Sequence, residues 1–300
     1  MAIDLASKFS PVVDERFEVE SKTSLITNRD YDFIGAKSIK IYSVGTAEMN
    51  DYGRNTNIGN AEGAVFSRYG LIKDLSTEIQ EVQMEKDRSF TFVIDKMDED
   101  ETLGALNAGT ALARQLREEV IPEVDKYTYA KVASNAGKTK TETLDTTNSY
   151  GALIEANEYQ DEHKVPVEGR VLIATPVYYN KLKQDKNAVL ETEIGQDMKI
   201  KGVVANMDGV VIQKVVSSLL PEGVNFILAH KIATTQAIKL AEYKIHTDAV
   251  GVSGSLVEGR IYYTAFVRNN KKDAIYVSTT AETNNAEPTE PTEPTEGEGE

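Results

Sequence analysis

Cysteine is absent from the 300 residues, so no disulfide framework and no thiolate metal site can be built; covalent reinforcement would need other chemistry. Long apolar runs are absent too. No stretch approaches the ~18 consecutive apolar residues that span a bilayer, which excludes a transmembrane helix. The first residues, MAIDLASKFSPVVDERF, carry acids at Asp4 and Asp14 and no apolar core of signal-peptide length, so secretion by that route is not expected. Histidine is scarce. His163, His230 and His246 lie far apart and match no metal-ligand spacing such as His-x-x-x-His, which makes them ordinary structural or surface residues.

Basic residues are also in short supply: 33 Lys and Arg face 48 Asp and Glu, for a net charge of −15. Seven of those charges are glutamates after residue 281, where no basic residue occurs, leaving −8 for the rest. An acidic body argues against a broad nucleic-acid-gripping face, which needs clustered Lys and Arg to neutralise phosphates. The pair Lys271–Lys272 reads as part of a solvated loop.

Motifs for catalysis are equally thin. GVSGSLVEGR holds glycines but lacks the Gly-Lys-Ser/Thr ending of a phosphate loop and misses the dinucleotide spacing, so it reads as turn chemistry. No serine occupies a Gly-x-Ser-x-Gly elbow. The clusters Asp98–Glu101 and Glu118–Glu119 could hold cations or act as acid and base, but helix capping and a solvated helix face account for them. No catalytic, cofactor-binding or metal residue is therefore assigned, and no cofactor is expected.

What is there is an order of elements. Residues 1–35 show scattered apolar residues without a period. AKSIKIYSV (Ala36–Val44) alternates as a strand, with Ile39 and Ile41 on one face and Lys40 on the other. The excursion GTAEMNDYGRNTNIGNAEGAVFSRYGLIKD follows, with five glycines and four asparagines. Loops this long are uncommon inside compact domains, and the composition suits turns, so a projecting arm or extended hairpin is expected. From Thr77 to Ile94 a strand returns, Phe90, Phe92 and Ile94 on one face. A slip at Ile79–Val82 marks either a bulge or the passage from the arm's strand to the body's.

A helix is then expected from Leu103 to Ser134, roughly 50 Å long. Asp98 and Glu101 form its expected capping box, and Pro122 its kink or restart. After the polar spacer GKTKTETLDTTNS, a helix over 149–163 is predicted, then a strand over Val171–Ala174 running into a helix opened by Pro176. A hairpin turns at Asp208–Gly209. NFILAHKIATTQAIKL reads as a strand and a short helix, and EGRIYYTAFV and AIYVS as strands. The sum is an α+β fold with a central sheet. The Pro-Thr-Glu repeats of AEPTEPTEPTEGEGE offer almost nothing to bury and read as a disordered, extended acidic tail. A loose N-terminus, an arm, a long helix and a mixed body suit a subunit that builds interfaces with copies of itself.

Several phrases carry a resemblance. KDRSFTFVIDKMDEDET with the helix through EEVIPEVDKYTYAKVA, then VLIATPVYYNKL, LVEGRIYYTAFVRNNKKDAIYVS and, earlier, VVDERFEVES and NRDYDFIGAKSIKIYSV, resemble major capsid proteins of tailed phages of Gram-positive bacteria, in the same order and across most of residues 10–280. The resemblance implies the Hong Kong 97-like capsid fold, with an N-terminal arm over 1–35 and an extended hairpin loop over 36–80. A peripheral domain with a long spine helix would take 81–139 and 256–268, an axial domain 140–255 and 269–280, and the tail 281–300. It implies a structural, non-enzymatic shell protein that forms hexamers and pentamers of an icosahedral head around phage DNA, enclosed without sequence-specific binding and without a membrane. The expected location is the virion, after assembly in the host bacterial cytoplasm, with a portal and head-completion proteins as partners. Only about ten residues precede the first matching phrase, which implies a separate scaffolding protein, or none, with a separate one expected. Some relatives join Lys and Asn side chains of neighbouring subunits with the help of a Glu; Lys73, Asn60 and Glu62 supply those types but are too common to assign. Two other classes remain: an encapsulin-like bacterial compartment shell with protein cargo, and an α+β hydrolase or nucleotide-binding enzyme, against which the missing motifs count.

Overall fold

The computed structural model describes residues 21–280 apart from 32, 34–36, 55–66, 70–73, 102–106, 187–204 and 248. Lys73, Asn60, Glu62, Leu103, Leu106 and the Pro-Thr-Glu tail lie outside the described residues. In chain order the strands are β1 (Thr27–Asn28), β2 (Ser38–Val44), β3 (Thr77–Gln83), β4 (Lys86–Asp95), β5 (Lys138–Thr141), β6 (Arg170–Ala174), β7 (Ala205–Met207), β8 (Val210–Lys214), β9 (Val224–His230), β10 (Thr234–His246), β11 (Gly254–Val267) and β12 (Ile275–Thr279). The helices are α1 (Lys96–Glu101), α2 (Ala108–Gln115), α3 (Ile121–Ser134), α4 (Ser149–Glu162) and α5 (Pro176–Gln184). The chain forms two units, residues 33–84 and the remainder.

The expected single central sheet is instead divided. The larger unit holds a four-stranded sheet, ordered β1-β10-β11-β4, and a six-stranded sheet, ordered β5-β12-β9-β6-β8-β7. In the six-stranded sheet, β6, β9 and β12 are buried along their whole length, as expected of strands covered on both faces. Alternation then assigns each residue a layer. Val171, Ile173, Ile227, Ala229, Ile275 and Val277 pack with Tyr129 and Val132 of α3 on one side. Leu172, Ala174, Phe226, Leu228 and Tyr276 pack with Leu153 and Ala156 of α4 and with Tyr178 and Leu182 of α5 on the other. Thr175 caps α5 by accepting a hydrogen bond from the Tyr178 amide, and Pro176 sits in the first turn, where its missing N–H leaves no bond unmade. At the Met207–Val210 pair, Asp208 (φ 52°) and Gly209 (φ 77°) both take positive φ, the backbone of a tight two-residue hairpin turn.

In the four-stranded sheet, Phe90, Phe92 and Ile94 of β4 and Val257 of β11 cluster with Ala108, Ala111 and Leu112 of α2, while Ile261, Tyr263 and Ala265 meet Val124 and Tyr127 of α3. Gly259 makes this face possible. A Cβ there would lie 2.3 Å from the Phe90 ring and 2.9 Å from Tyr243. With hydrogen in its place, Phe90 stacks beside Phe92 and Tyr243 at centroid distances of 6.2 Å.

Four expectations are corrected. Asp98–Glu101 does not cap the long helix: these residues lie within α1, whose first turn is capped by Asp95 accepting from the Met97 amide. Asn107 caps the long helix, its side chain accepting from the Gly109 amide. Pro122, the expected kink or restart of that helix, stands in the first turn of α3, directly after an irregular turn. That turn is one wide π turn over Leu116–Val120, in which the Ile121 amide reaches the Leu116 carbonyl, and helical residues run through it from Ala108 to Ser134, about 40 Å. The predicted short helix after NFILAHK is strand: β10 pairs with β11 over its length, and the β-branched Thr234 and Thr235 lie fully buried on it. The polar spacer contributes β5, an edge strand parallel to β12, on which alternating Lys and Thr suit one covered and one wet face. Within the N-terminal stretch, residues 23–28 are ordered, with Ile26 fully buried and β1 parallel to β10.

Candidate functional site

No constellation of reactive groups gathers among the described residues, and none of them form a group of three or more His, Asp or Glu placed to hold a metal. His230 is buried, bonding the Glu168 carbonyl and accepting from the Ile232 amide. His163 bonds the Tyr159 carbonyl, and His246 lies 3.3 Å from Glu258 on the open face of the four-stranded sheet. Lys271 and Lys272, read as a solvated pair, are half-buried in the turn before β12. Burial, and then the Arg268 guanidinium, holds the Lys271 ammonium below its usual range.

Two features stand out instead. The first is the joint at Met84–Glu85, where the chain leaves one unit for the other. The slip noticed at Ile79–Val82 is neither a bulge nor this passage: β3 pairs with β2 in unbroken register over Thr77–Gln83, Ile79 on the exposed face and Val82 on the buried one, and the passage comes only after Gln83, with β4 beginning at Lys86 in a different sheet. All four charged residues that open β4's segment are engaged within their own unit. Glu85 accepts from the Tyr127 hydroxyl (2.8 Å) and pairs with Lys131 (2.7 Å). Lys86 stands over the Tyr127 ring. Asp87 receives a two-pronged bond from Arg260 (2.9 and 2.5 Å), and Arg88 pairs with Glu123 at 2.8 Å.

These bonds set protonation states. Burial chiefly, with the Glu85 charge in support, drives the Tyr127 hydroxyl far above the usual phenol range; burial and Glu123 do the same to Tyr263. Both therefore remain donors. The bond from Arg260 holds Asp87 below the usual carboxylate range and so keeps it ionised. Tyr127 and Tyr263 meet edge to face at 5.4 Å, which ties the helix to β11 directly behind the charged row. The arrangement is a clasp that seats the first residues of β4 on α3 and β11.

The second feature is the unit over 33–84. Its two strands run antiparallel, with Ile39 opposite Val82 and Tyr42 opposite Ile79. Ile41, Val82 and Met84 are buried, but Tyr42, Val44 and Ile79 stand exposed on the opposite face, and Met49, Tyr52, Tyr69 and Leu75 add further exposed apolar surface. Where the excursion is described, its two sides come together. The Gly53 amide bonds the Arg68 carbonyl and Tyr52 meets Tyr69 edge on at 5.1 Å. A lone two-stranded hairpin is marginal in water, and apolar residues clustered on it mark a contact surface. The sequence reading found the strand but not its apolar outer face. The signal was present, because Tyr42 and Val44 continue the face that begins at Lys40.

A side-chain lattice that sequence reasoning missed holds the six-stranded sheet to α4. The Arg170 guanidinium is fully buried yet bonds Asp161, Asn157 and the carbonyls of Val165 and Pro166, so no buried donor direction is left dry. It is a structural bolt.

A family model described as "Phage capsid protein" matches residues 77–278, two-thirds of the chain, spanning β3, the clasp, the long helix and both large sheets apart from β1 and the last residue of β12. No curated protein matches in sequence. Among solved structures, one from Mycobacterium phage Che8 superposes with a TM-score of 0.72 at 16% identity, covering 92% of this chain and 96% of that one. The capsid of cyanophage P-SCSP1u gives the same TM-score and identity, with 93% of each chain covered. The capsid of Myoviridae phage XM1 gives 0.62 at 13% identity, over 93% of this chain and 99% of that one. These likenesses place the α+β fold among the Hong Kong 97-like capsids.

Proposed function

We propose a specific task for this chain, which belongs to the phage capsid protein family: it is the repeating subunit of the icosahedral head shell, and it works by geometry without turnover. The observation that carries the reading is the family match over 77–278, which takes in every element of the two large sheets except the two-residue β1 and the last residue of β12. In this scheme residues 1–35 are the N-terminal arm and 36–80 the extended loop. Residues 81–139 with 256–268 form the peripheral domain around the spine helix, 140–255 with 269–280 the axial domain, and 281–300 the acidic tail. The exposed Tyr42, Val44 and Ile79 supply apolar area for contact with a neighbouring copy, and the clasp at Glu85–Arg88 holds the start of β4 on α3 and β11 within the larger unit. A net acidic body favours enclosing DNA without gripping it. Portal, head-completion and separate scaffolding proteins complete the expected partners, with assembly in the host cytoplasm and residence in the virion.

Negative-stain microscopy of the purified chain across salt conditions, with and without a co-expressed scaffold, tests this reading. Capsomers, shells, tubes or sheets are expected. A chain that stays monomeric under every condition overturns it, and particles filled with a protein cargo and free of nucleic acid point to a compartment shell.

A further inference from the structure

The long helix carries a second ionisable device, set on α3 between the clasp residues Glu123 and Tyr127 and independent of the assembly reading. Asp125 of α3 is 3% exposed. Its Oδ1 accepts hydrogen bonds from the Ser21 hydroxyl (2.8 Å) and the Thr23 hydroxyl (3.1 Å), both from the N-terminal segment. That segment runs on over the body. Thr27 bonds the Thr23 carbonyl, Asn28 bonds the Lys231 carbonyl and accepts from Thr235, and Arg268 bonds Asp30 and covers the Tyr31 ring. Ile26, within the same segment, is fully buried and packs in the core with Tyr129 and Val132.

We propose that Asp125 is a pH-sensitive latch for the strap formed by residues 21–31: the strap grips its own helix firmly when Asp125 is protonated and loosens as Asp125 ionises.

The physical reason is the setting of the carboxyl group. Two hydroxyls are weak compensation for a carboxylate removed from water, since the charged form of a buried acid needs pairing or several strong donors. The surrounding elements supply little charge. On its own helix the neighbouring ionisable group is Tyr129, whose hydroxyl burial and Asp125 together push far above the usual range. Strand β10 contributes Gln236, bonded to Thr128. The turn over Ser217–Leu219 is neutral. Strand β11 presents Tyr263, while its Arg260 and Glu258 are paired with Asp87 and His246. Strand β12 carries no charge, and the strap carries Lys22 between Ser21 and Thr23 in sequence.

Burial accordingly raises the Asp125 carboxyl above its ordinary value, with the Ser21 and Thr23 bonds opposing but not cancelling that rise. When the strap lifts, water reaches the carboxylate and its affinity for a proton falls. The docked state therefore binds the proton more tightly than the lifted state. Docking is fullest below the ordinary carboxylate value and weakens as pH rises through the raised, docked value.

Hydrogen exchange of the full-length chain, corrected for intrinsic rates and followed in peptides spanning 21–31, measures this between about pH 4 and pH 8. Strap protection should fall with rising pH, by about tenfold for each unit by which docking raises the group, while β9 peptides stay level. Asp125→Asn keeps an oxygen acceptor without a titrating proton and should give a strap protected independently of pH. Ser21→Ala removes one donor that favours the ionised form, so the decline should extend to higher pH; this variant serves if Asp125→Asn fails the circular-dichroism check for folding. A wild-type strap whose protection is flat across the range overturns the latch. So does a pH slope that persists in Asp125→Asn, or a Ser21→Ala profile identical to wild type.

Discussion

Six residues apart in sequence, Ile79 and Glu85 illustrate two ways a strand meets its surroundings. On β3, Ile79 stands 58% exposed beside Tyr42, and the hairpin unit offers apolar side chains that its own residues do not cover. From Glu85 onward, every charge of the segment is answered within the same unit by Tyr127, Lys131, Arg260 or Glu123. The hairpin leaves this apolar face uncovered in the single chain, while the charges that open β4 are all answered. An assembling subunit needs both. A body that exposed its core would aggregate indiscriminately, and a hairpin that satisfied itself would have nothing to give a partner.

If that division holds, substitutions in the two regions should separate stability from assembly. The largest loss of stability is expected at Phe226 on β9, fully buried between Tyr178 (4.7 Å) and Tyr276 (6.2 Å). Phe226→Ala should cost about 3–5 kcal/mol through lost burial and the cavity left behind, read as a lowered midpoint in denaturant with the slope unchanged. A cost below about 1 kcal/mol would show that the sheet is not the closed core described. A smaller effect is expected at Gly259. Any Cβ there meets the Phe90 ring at 2.3 Å, and both aromatics must swing off their stack. Gly259→Val should cost about 1–3 kcal/mol as an overpacked site, and Phe90→Ala in the same chain should recover part of the loss by vacating the space. Additive losses from the two changes would break the claim that the glycine exists for the ring.

Those two sites also mark how far the sequence could be read. The strand over Phe90–Ile94 and its inward face were legible because a period of two leaves a clear trace, as were the Asp208–Gly209 hairpin and the Thr175–Pro176 helix start, where local chemistry decides the backbone. Strand β10 was misread because its text, ATTQAIKL, is neutral between helix and strand, and the partner that settles it, β11, pairs with it across a register that no local pattern announces. The capping box at Asp98 failed for a related reason. The motif was present, but Asp95 had already taken the cap of a separate helix and Asn107 the cap of the long one. The tasks of Glu85 to Arg88 were hidden because their partners lie 35 or more residues away, on α3 and β11. A charge that looks free in sequence is free only until the fold brings its partner.

The smallest change in stability, and the sharpest test, belongs to the hairpin. Tyr42 and Ile79 face each other across β2 and β3, at 66% and 58% exposure. Replacing both by serine removes apolar area that the isolated chain already leaves in water, so little transfer free energy is lost on unfolding. Cross-strand pairs of this kind contribute a few tenths of a kcal/mol, and the thermal midpoint of Tyr42→Ser/Ile79→Ser should stay within about 1–2 °C of the parent. Self-association should suffer far more, because the same two side chains would have become buried at the contact, each worth about 1.5–3 kcal/mol there. Sedimentation velocity should show the double variant as folded single subunits at concentrations where the parent forms larger particles. If the variant assembled as readily as the parent, the exposed face would not be the contact. If instead its thermal midpoint fell as far as that of Phe226→Ala, the face would belong to the core and the contrast between the two regions would collapse.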